Sequence, residues 1–151
     1  MRRKLSAMLL GIAMFSIAFA SGQQPVTAEP SKDARATAQP YLIYVRTGNV
    51  SGAGTDANVY VQLFGTSGNS PVLELESNQN DFERNDLGGY SFTLNDLGTV
   101  NRVCLWRNEA GLGDEWNVAY VTVAPRSTPG QWTAPFNGWM PAYKWICRRA
   151  T

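Results

Sequence analysis

Hydrophobic residues recur at every second position through most of the chain, with polar residues between them and Gly, Asn and Asp clusters closing each run. Period two is the signature of strands with one buried face. Tyr41, Ile43 and Val45 form the first such face, followed by the turn-rich TGNVSGAGTD. Val59, Val61 and Leu63 form the second, before GTSGNS. Leu73 and Leu75 belong to a third strand, which ends in a long polar loop. Tyr90, Phe92 and Leu94 make a fourth, before NDLG. Val103 and Leu105 lie in a fifth, before NEAGLGD. Trp116, Val118 and Tyr120 make a sixth, and later strands include Trp132 and the Trp139 region. No stretch after the N-terminal segment carries a helical period. Short strands at this spacing predict an all-β antiparallel sandwich.

The connectivity of such a sandwich has a geometric consequence. Directly connected antiparallel strands run alternately up and down, so their loops alternate between the two ends. Loops 48–56, 77–88 and 107–115 all follow odd-numbered strands and share one end; loops 65–70 and 95–99 share the other. The first end collects Asn49, Asp56, Asn78, Asn80, Asp81, Glu83, Asp86, Asn108, Glu109, Asp114 and Glu115, against Asn69, Asn95 and Asp96 at the opposite end. Converging carboxylates repel one another, and a hard cation relieves that repulsion. Calcium takes roughly six to eight oxygen ligands from carboxylates, amides and carbonyls. Magnesium fits less well, because it demands stricter octahedral geometry and keeps its waters. Asp, Asn and Gly are also ordinary turn residues, so spacing alone leaves calcium and plain turn chemistry both open. GAGTDA is not a phosphate cradle, since it lacks the Lys and the following helix.

The N-terminus carries Arg2, Arg3 and Lys4, then an apolar run from Leu5 to Phe19 and a small-x-small triplet, Ala18-Phe19-Ala20. This predicts a signal peptide over 1–20; the alternative is an anchor that stays attached, for which the run is short. Residues 21–40 have no aromatic residue and one large aliphatic, and read as a flexible linker. The folded domain is expected over 41–151, secreted to the extracellular space, or to the periplasm of a two-membrane bacterium. Removing residues 1–20 takes away three cations and no acid, leaving ten Lys and Arg against twelve Asp and Glu. No basic stripe is present, which argues against nucleic acid. The chain has no His, and so lacks the commonest general base and transition-metal ligand. A non-enzymatic protein is expected, probing lipid or protein surfaces as a monomer; a small lipid-acting hydrolase is the least favoured alternative. Cys104 and Cys147 can pair in an oxidising compartment. The other arrangement is one buried thiol in a strand and one loose thiol near the tail. Export favours the bridge.

Five segments resemble the PLAT domain family, the β-sandwich of lipoxygenases, polycystins and clostridial alpha-toxin: YLIYVRTGNVSGAGTDANVYVQLFG, NDFER, DLGTVNRVCLW, the Trp116-Asn117-Val118 strand, and PFNGWM. They run in order from Tyr41 to Met140. The resemblance implies an eight-stranded sandwich, often calcium-binding, that mediates membrane or protein association. It implies calcium ligands at Gly54, Thr55 and Asp56, at Asn80, Asp81 and Glu83, and at Asp114, the two residues Gly54 and Thr55 acting through carbonyls. Departures are Asn108-Glu109 in place of an Asp-Asn pair, Asn85 in place of the Gly after FER, Gly88 in place of an Asp, and Phe136 in place of a last-strand Cys. These bear on any further calcium sites, while the first set of donors is intact. The expected function is calcium-dependent docking on membrane lipid, with Val50, Leu87 and Leu112 as apolar contacts at the loop tips. The alternative is calcium-dependent docking on a secreted or cell-surface protein.

Overall fold

The computed structural model describes residues 37–111 and 115–151. The expected signal peptide over 1–20, most of the expected linker, Leu112 and Asp114 lie outside the described residues. Eight strands follow one another: β1 (Gln39–Thr47), β2 (Val59–Gly65), β3 (Leu73–Glu74), β4 (Leu87–Leu94), β5 (Val100–Arg107), β6 (Asn117–Pro125), β7 (Trp132–Trp139) and β8 (Ile146–Arg149). They form two four-stranded sheets, ordered β4-β1-β6-β7 and β3-β2-β5-β8, in which every pairing is antiparallel. The alternation in β1 and β2 lays Tyr41, Ile43 and Val45 against Val59, Val61 and Leu63, and all six are fully or almost fully buried. Val103, Leu105, Val121 and Val123 complete the layer between the sheets.

Local chemistry moves three of the expected boundaries. β1 begins at Gln39, inside the expected linker. Gln39 is buried because its amide donates to Asp96 and Thr128, which close the end of the sandwich away from the acidic loops. Trp116 is fully buried but precedes β6; its indole N–H donates to the Thr47 hydroxyl at 3.2 Å. Tyr120 does not continue the buried face of Val118. The registers of β6 with both β1 and β7 shift between Val118 and Tyr120. Against β1 the extra residue is Ala119, and against β7 two residues, Phe136 and Asn137, face Ala119 alone; these bulges reverse the alternation, so Val121 and Val123 point inward and Tyr120 is only half-buried.

Cys104 and Cys147 stand directly opposite each other in the β5–β8 ladder and are joined by a disulfide. β8 is a four-residue strand whose one ladder is with β5. The bridge therefore fastens a short edge strand to the sheet.

Candidate functional site

Phe82 shapes the acidic end of the sandwich. The β3–β4 loop pushes this ring into the core, where it meets Trp116 edge-to-face with ring centroids 5.0 Å apart and stacks on Tyr90 at 5.9 Å. Its backbone holds φ at 62° to do so, a conformation that bulky residues rarely adopt. The strain is offset by burying an aromatic ring, of which 4% remains exposed. With Phe82 facing inward, its neighbours Asp81 and Glu83 are left at the surface of the loop end. Asn85, three residues on, has φ at 60°. A left-handed position suits Gly and tolerates Asn, which explains how Asn stands where the resembling family has Gly.

The β1–β2 loop lies directly on this segment. The Thr55 N–H donates to the Phe82 carbonyl at 3.3 Å, and the Asn85 N–H to the Gly48 carbonyl at 3.1 Å. A Cβ on Gly54 would stand 3.2 to 3.4 Å from Phe82 O, Arg84 N and Glu83 Cα. All three are backbone atoms, so only glycine lets the two loops approach this closely. The Thr55 hydroxyl is buried and accepts the Ala57 N–H. Gly54 and Thr55 therefore offer main-chain oxygens, while the Asp56 carboxylate is exposed.

The β5–β6 loop closes the third side. The Asn108 side-chain oxygen accepts the N–H groups of Asn58 and Ala110, so Asn108 works as a bracket between loops. Gly111, at φ 90°, lies so near Asp56 that a Cβ there would be 2.4 Å from the Asp56 Cβ. Gly54 thus touches the Asp81–Glu83 segment, and Asp56 touches the third loop three residues before Asp114.

The carboxylates have local partners. Asp81 accepts the Ser77 N–H at 2.7 Å and the Ser77 hydroxyl at 2.6 Å. Glu83 accepts the Asn80 amide at 2.6 Å. A cleft of about 250 Å³ opens beside them, with Asp56, Glu74, Glu76 and Asp81 on its walls. No group of three or more acidic or thiol side chains draws into one coordination shell among the described residues. The donor set fits a hard cation in kind, being all oxygen, and the loops that carry it are in backbone contact. Tyr90 lies just beneath. Its hydroxyl is buried and meets no partner in good hydrogen-bond geometry, with the Asp81 carboxylate close by; burial, then the charge and nearby carboxylate of Asp81, then the charge of Asp86, push its pKa well above the ordinary tyrosine value.

Of the apolar tips, Val50 is 44% and Leu87 47% exposed. A larger apolar surface lies on the fourth loop of this end, residues 140–145, which sequence periodicity does not delimit. The Met140 N–H donates to the Trp116 carbonyl at 2.7 Å and the Tyr143 N–H to the Arg107 carbonyl at 2.8 Å. Tyr143 and Trp145 are exposed there, beside the exposed Trp139 at the end of β7. The same alternation of loops that gathers the acidic residues also assigns this loop, which follows the odd-numbered β7, to their end.

The family model for the PLAT/LH2 domain matches residues 41–145. The chain belongs to the PLAT/LH2 domain family. Curated PLAT relatives include mouse lipoxygenase homology domain-containing protein 1, 37% identical over 90 residues that make up 58% of this chain and 4% of that protein. Human polycystin-1-like protein 3 is 30% identical over 144 residues, 90% of this chain and 8% of that protein. The chain spans less than a tenth of the length of these relatives. Among solved structures, coral 8R-lipoxygenase, described as activated by calcium through a C2-like domain, is 25% identical with a TM-score of 0.66; the match covers 74% of this chain and 17% of that one. A calcium-dependent 11R-lipoxygenase is 28% identical with a TM-score of 0.60, over 74% of this chain and 17% of that one. Clostridium absonum alpha-toxin shares the fold, at 22% identity and a TM-score of 0.61, over 78% of this chain and 33% of that one.

Proposed function

We propose that this PLAT domain is an exported, non-catalytic calcium-binding module that docks on lipid membranes through its acidic loop end. The observation that carries the reading is the meeting of three loops: Gly54 rides on the backbone of residues 82–84 and Asp56 abuts Gly111. The calcium-dependent lipoxygenases with a similar fold support the choice of ion. Asp56, Asp81, Glu83 and Asp114 would supply carboxylates, with Asn80 and the carbonyls of Gly54 and Thr55 assisting. Calcium brings two positive charges to a cluster whose acids would otherwise be repelled by anionic headgroups. That repulsion acts within a Debye length of about 8 Å. Neutralised, the end can bring Val50, Leu87 and Leu112 to the interface. Each contributes on the order of 1.5–3 kcal/mol at most when buried, so docking is weak and reversible.

Two measurements test the reading. Calcium should raise the melting temperature of the folded chain, because binding to the native state alone stabilises it. Asp56→Ala, which removes an exposed carboxylate, should suppress most of that rise. A melting curve indifferent to calcium refutes the site. Calcium binding without sedimentation on either anionic or zwitterionic vesicles refutes the lipid half of the reading and leaves docking on a secreted partner.

A further inference from the structure

The outward face of the sheet ordered β3-β2-β5-β8 gathers cations that lie far apart in the sequence. β5 buries Val103 and Leu105, so Arg102, Cys104 and Trp106 face outward. Arg149 stands directly opposite Arg102 in the β5–β8 ladder, two residues along from the Cys104–Cys147 bridge. Both arginines are exposed. Side chains directly opposite on one face have Cβ atoms about 4.5–5.5 Å apart, and like charges placed so destabilise a sheet. Arg102 is also held in place, its guanidinium carbon 4.1 Å from the centroid of the Phe64 ring. Two guanidinium forks rooted side by side suit one sulfate, phosphate or carboxylate, whose negative charge offsets their repulsion.

The surroundings keep the pair electropositive. Residues 97–107 contain no Asp or Glu, and residues 116–151 contain Arg126, Lys144, Arg148 and Arg149 with no Asp or Glu. Glu74, outward on β3 beside Tyr60, belongs to the far edge of the sheet, about 14 Å across from β8. The Thr151 backbone oxygen is engaged by β7, accepting the Thr133 N–H at 3.0 Å. About 14 Å along β5 from Arg102, the same face turns aromatic. Trp106 meets Tyr60 and Tyr143 edge-to-face there, with ring centroids 5.5 and 5.8 Å apart, and Tyr143 is 63% exposed. The negative face of an aromatic ring attracts the polarised C–H groups of a sugar ring.

One small ion cannot span both places; a chain laid along the strands can. Duplex DNA carries a charge about every 1.7 Å of its axis, whereas this face sets an arginine pair apart from a row of rings. An acidic polysaccharide, with ring faces between its charges, matches that spacing. We infer that this face binds a sulfated polysaccharide, a sulfate on Arg102 and Arg149 and sugar rings on Trp106 and Tyr143. The surface shares no residue with the proposed calcium ligands or the apolar loop tips, so it goes beyond the docking reading and binds without calcium.

The test titrates the folded chain with chondroitin sulfate by calorimetry, in chelator and low salt. Binding is expected, and it should weaken as salt screens the exposed pair. Arg102→Gln and Arg149→Gln should each weaken it about tenfold, the loss of a charge-assisted hydrogen bond, with the calcium-induced rise in melting temperature unchanged. Tyr143→Ala should weaken it about threefold. Desulfated chondroitin should bind about tenfold more weakly than the sulfated chain. No binding of chondroitin sulfate, undiminished binding by both arginine variants, or equal binding of a single-stranded oligonucleotide overturns the proposal. Vesicle docking in calcium without polysaccharide binding overturns it while leaving the docking reading intact. Polysaccharide binding by a chain whose melting ignores calcium supports this face and refutes the docking reading instead.

Discussion

Tyr90 gives the sharpest stability test, because its hydroxyl should act opposite to the usual buried tyrosine. The ring is 5% exposed and stacks on Phe82, while the hydroxyl, near the Asp81 carboxylate, makes no hydrogen bond of good geometry. Position 88 is a glycine, and a Cβ there would come within 2.8 Å of that hydroxyl. In most cores Tyr→Phe removes a hydrogen bond and costs about 1 kcal/mol. Here it removes an unsatisfied group whose burial costs about 1–3 kcal/mol and leaves the stacked ring in place. Tyr90→Phe should therefore be neutral or stabilising by up to about 1 kcal/mol at pH 7. The effect grows in alkali. Burial first, then Asp81 and Asp86, hold the folded pKa above the value of 10.0 expected when unfolded. Above that pH the unfolded chain has released a proton that the folded chain keeps, so native stability falls as pH rises. One such proton contributes about 1.4 kcal/mol per pH unit. Tyr90→Phe removes that share, so its advantage should widen from pH 10 to pH 11. Urea denaturation of both chains at pH 7, 10 and 11 measures it. A loss above about 1 kcal/mol at pH 7, or an advantage that does not grow with pH, would refute the orphaned hydroxyl.

Reduction of the Cys104–Cys147 bridge, which spans 43 residues, should lower stability by up to about 4 kcal/mol on a chain-entropy estimate. Hydrogen exchange should show β8 released first; unchanged denaturation on reduction contradicts this. Tyr41→Phe is the counterpart of Tyr90→Phe: the Tyr41 hydroxyl accepts the Leu97 N–H at 2.9 Å and meets Asp96, so its loss should cost about 1–2 kcal/mol, read by the same denaturation. Gly111→Ala should separate the third loop from Asp56, because a Cβ there overlaps the Asp56 Cβ at a φ of 90°. Calcium affinity should fall severalfold, beside a loss of calcium-free stability of about 1–3 kcal/mol from the strained backbone; an unchanged calorimetric affinity contradicts the contact.

The strands that alternate cleanly were legible in the residues. Tyr41, Ile43, Val45, Val59, Val61 and Leu63 needed only period two to be placed. The gathering of the GTD and NDFE segments followed from counting strands. What stayed hidden depended on single backbone choices. Ala119 makes a bulge that no residue type announces, so the inward face after Val118 could not be assigned. Phe82 reads as part of a polar loop because its burial depends on a positive φ. Arg107 is charged and reads as solvent-facing, since its two carbonyl partners come from Asn108, next in sequence, and Met140, far along the chain. The β7–β8 loop with Tyr143 and Trp145 escaped because Pro and Gly blur the alternation around it.

The most direct test of the whole account is co-sedimentation of the folded chain with vesicles across a calcium titration, beside a chelated control and Asp56→Ala. The account predicts sedimentation that rises with calcium in step with the melting temperature, reverses on chelation and is largely lost in Asp56→Ala. Sedimentation that is absent at saturating calcium, or identical in chelator, contradicts it.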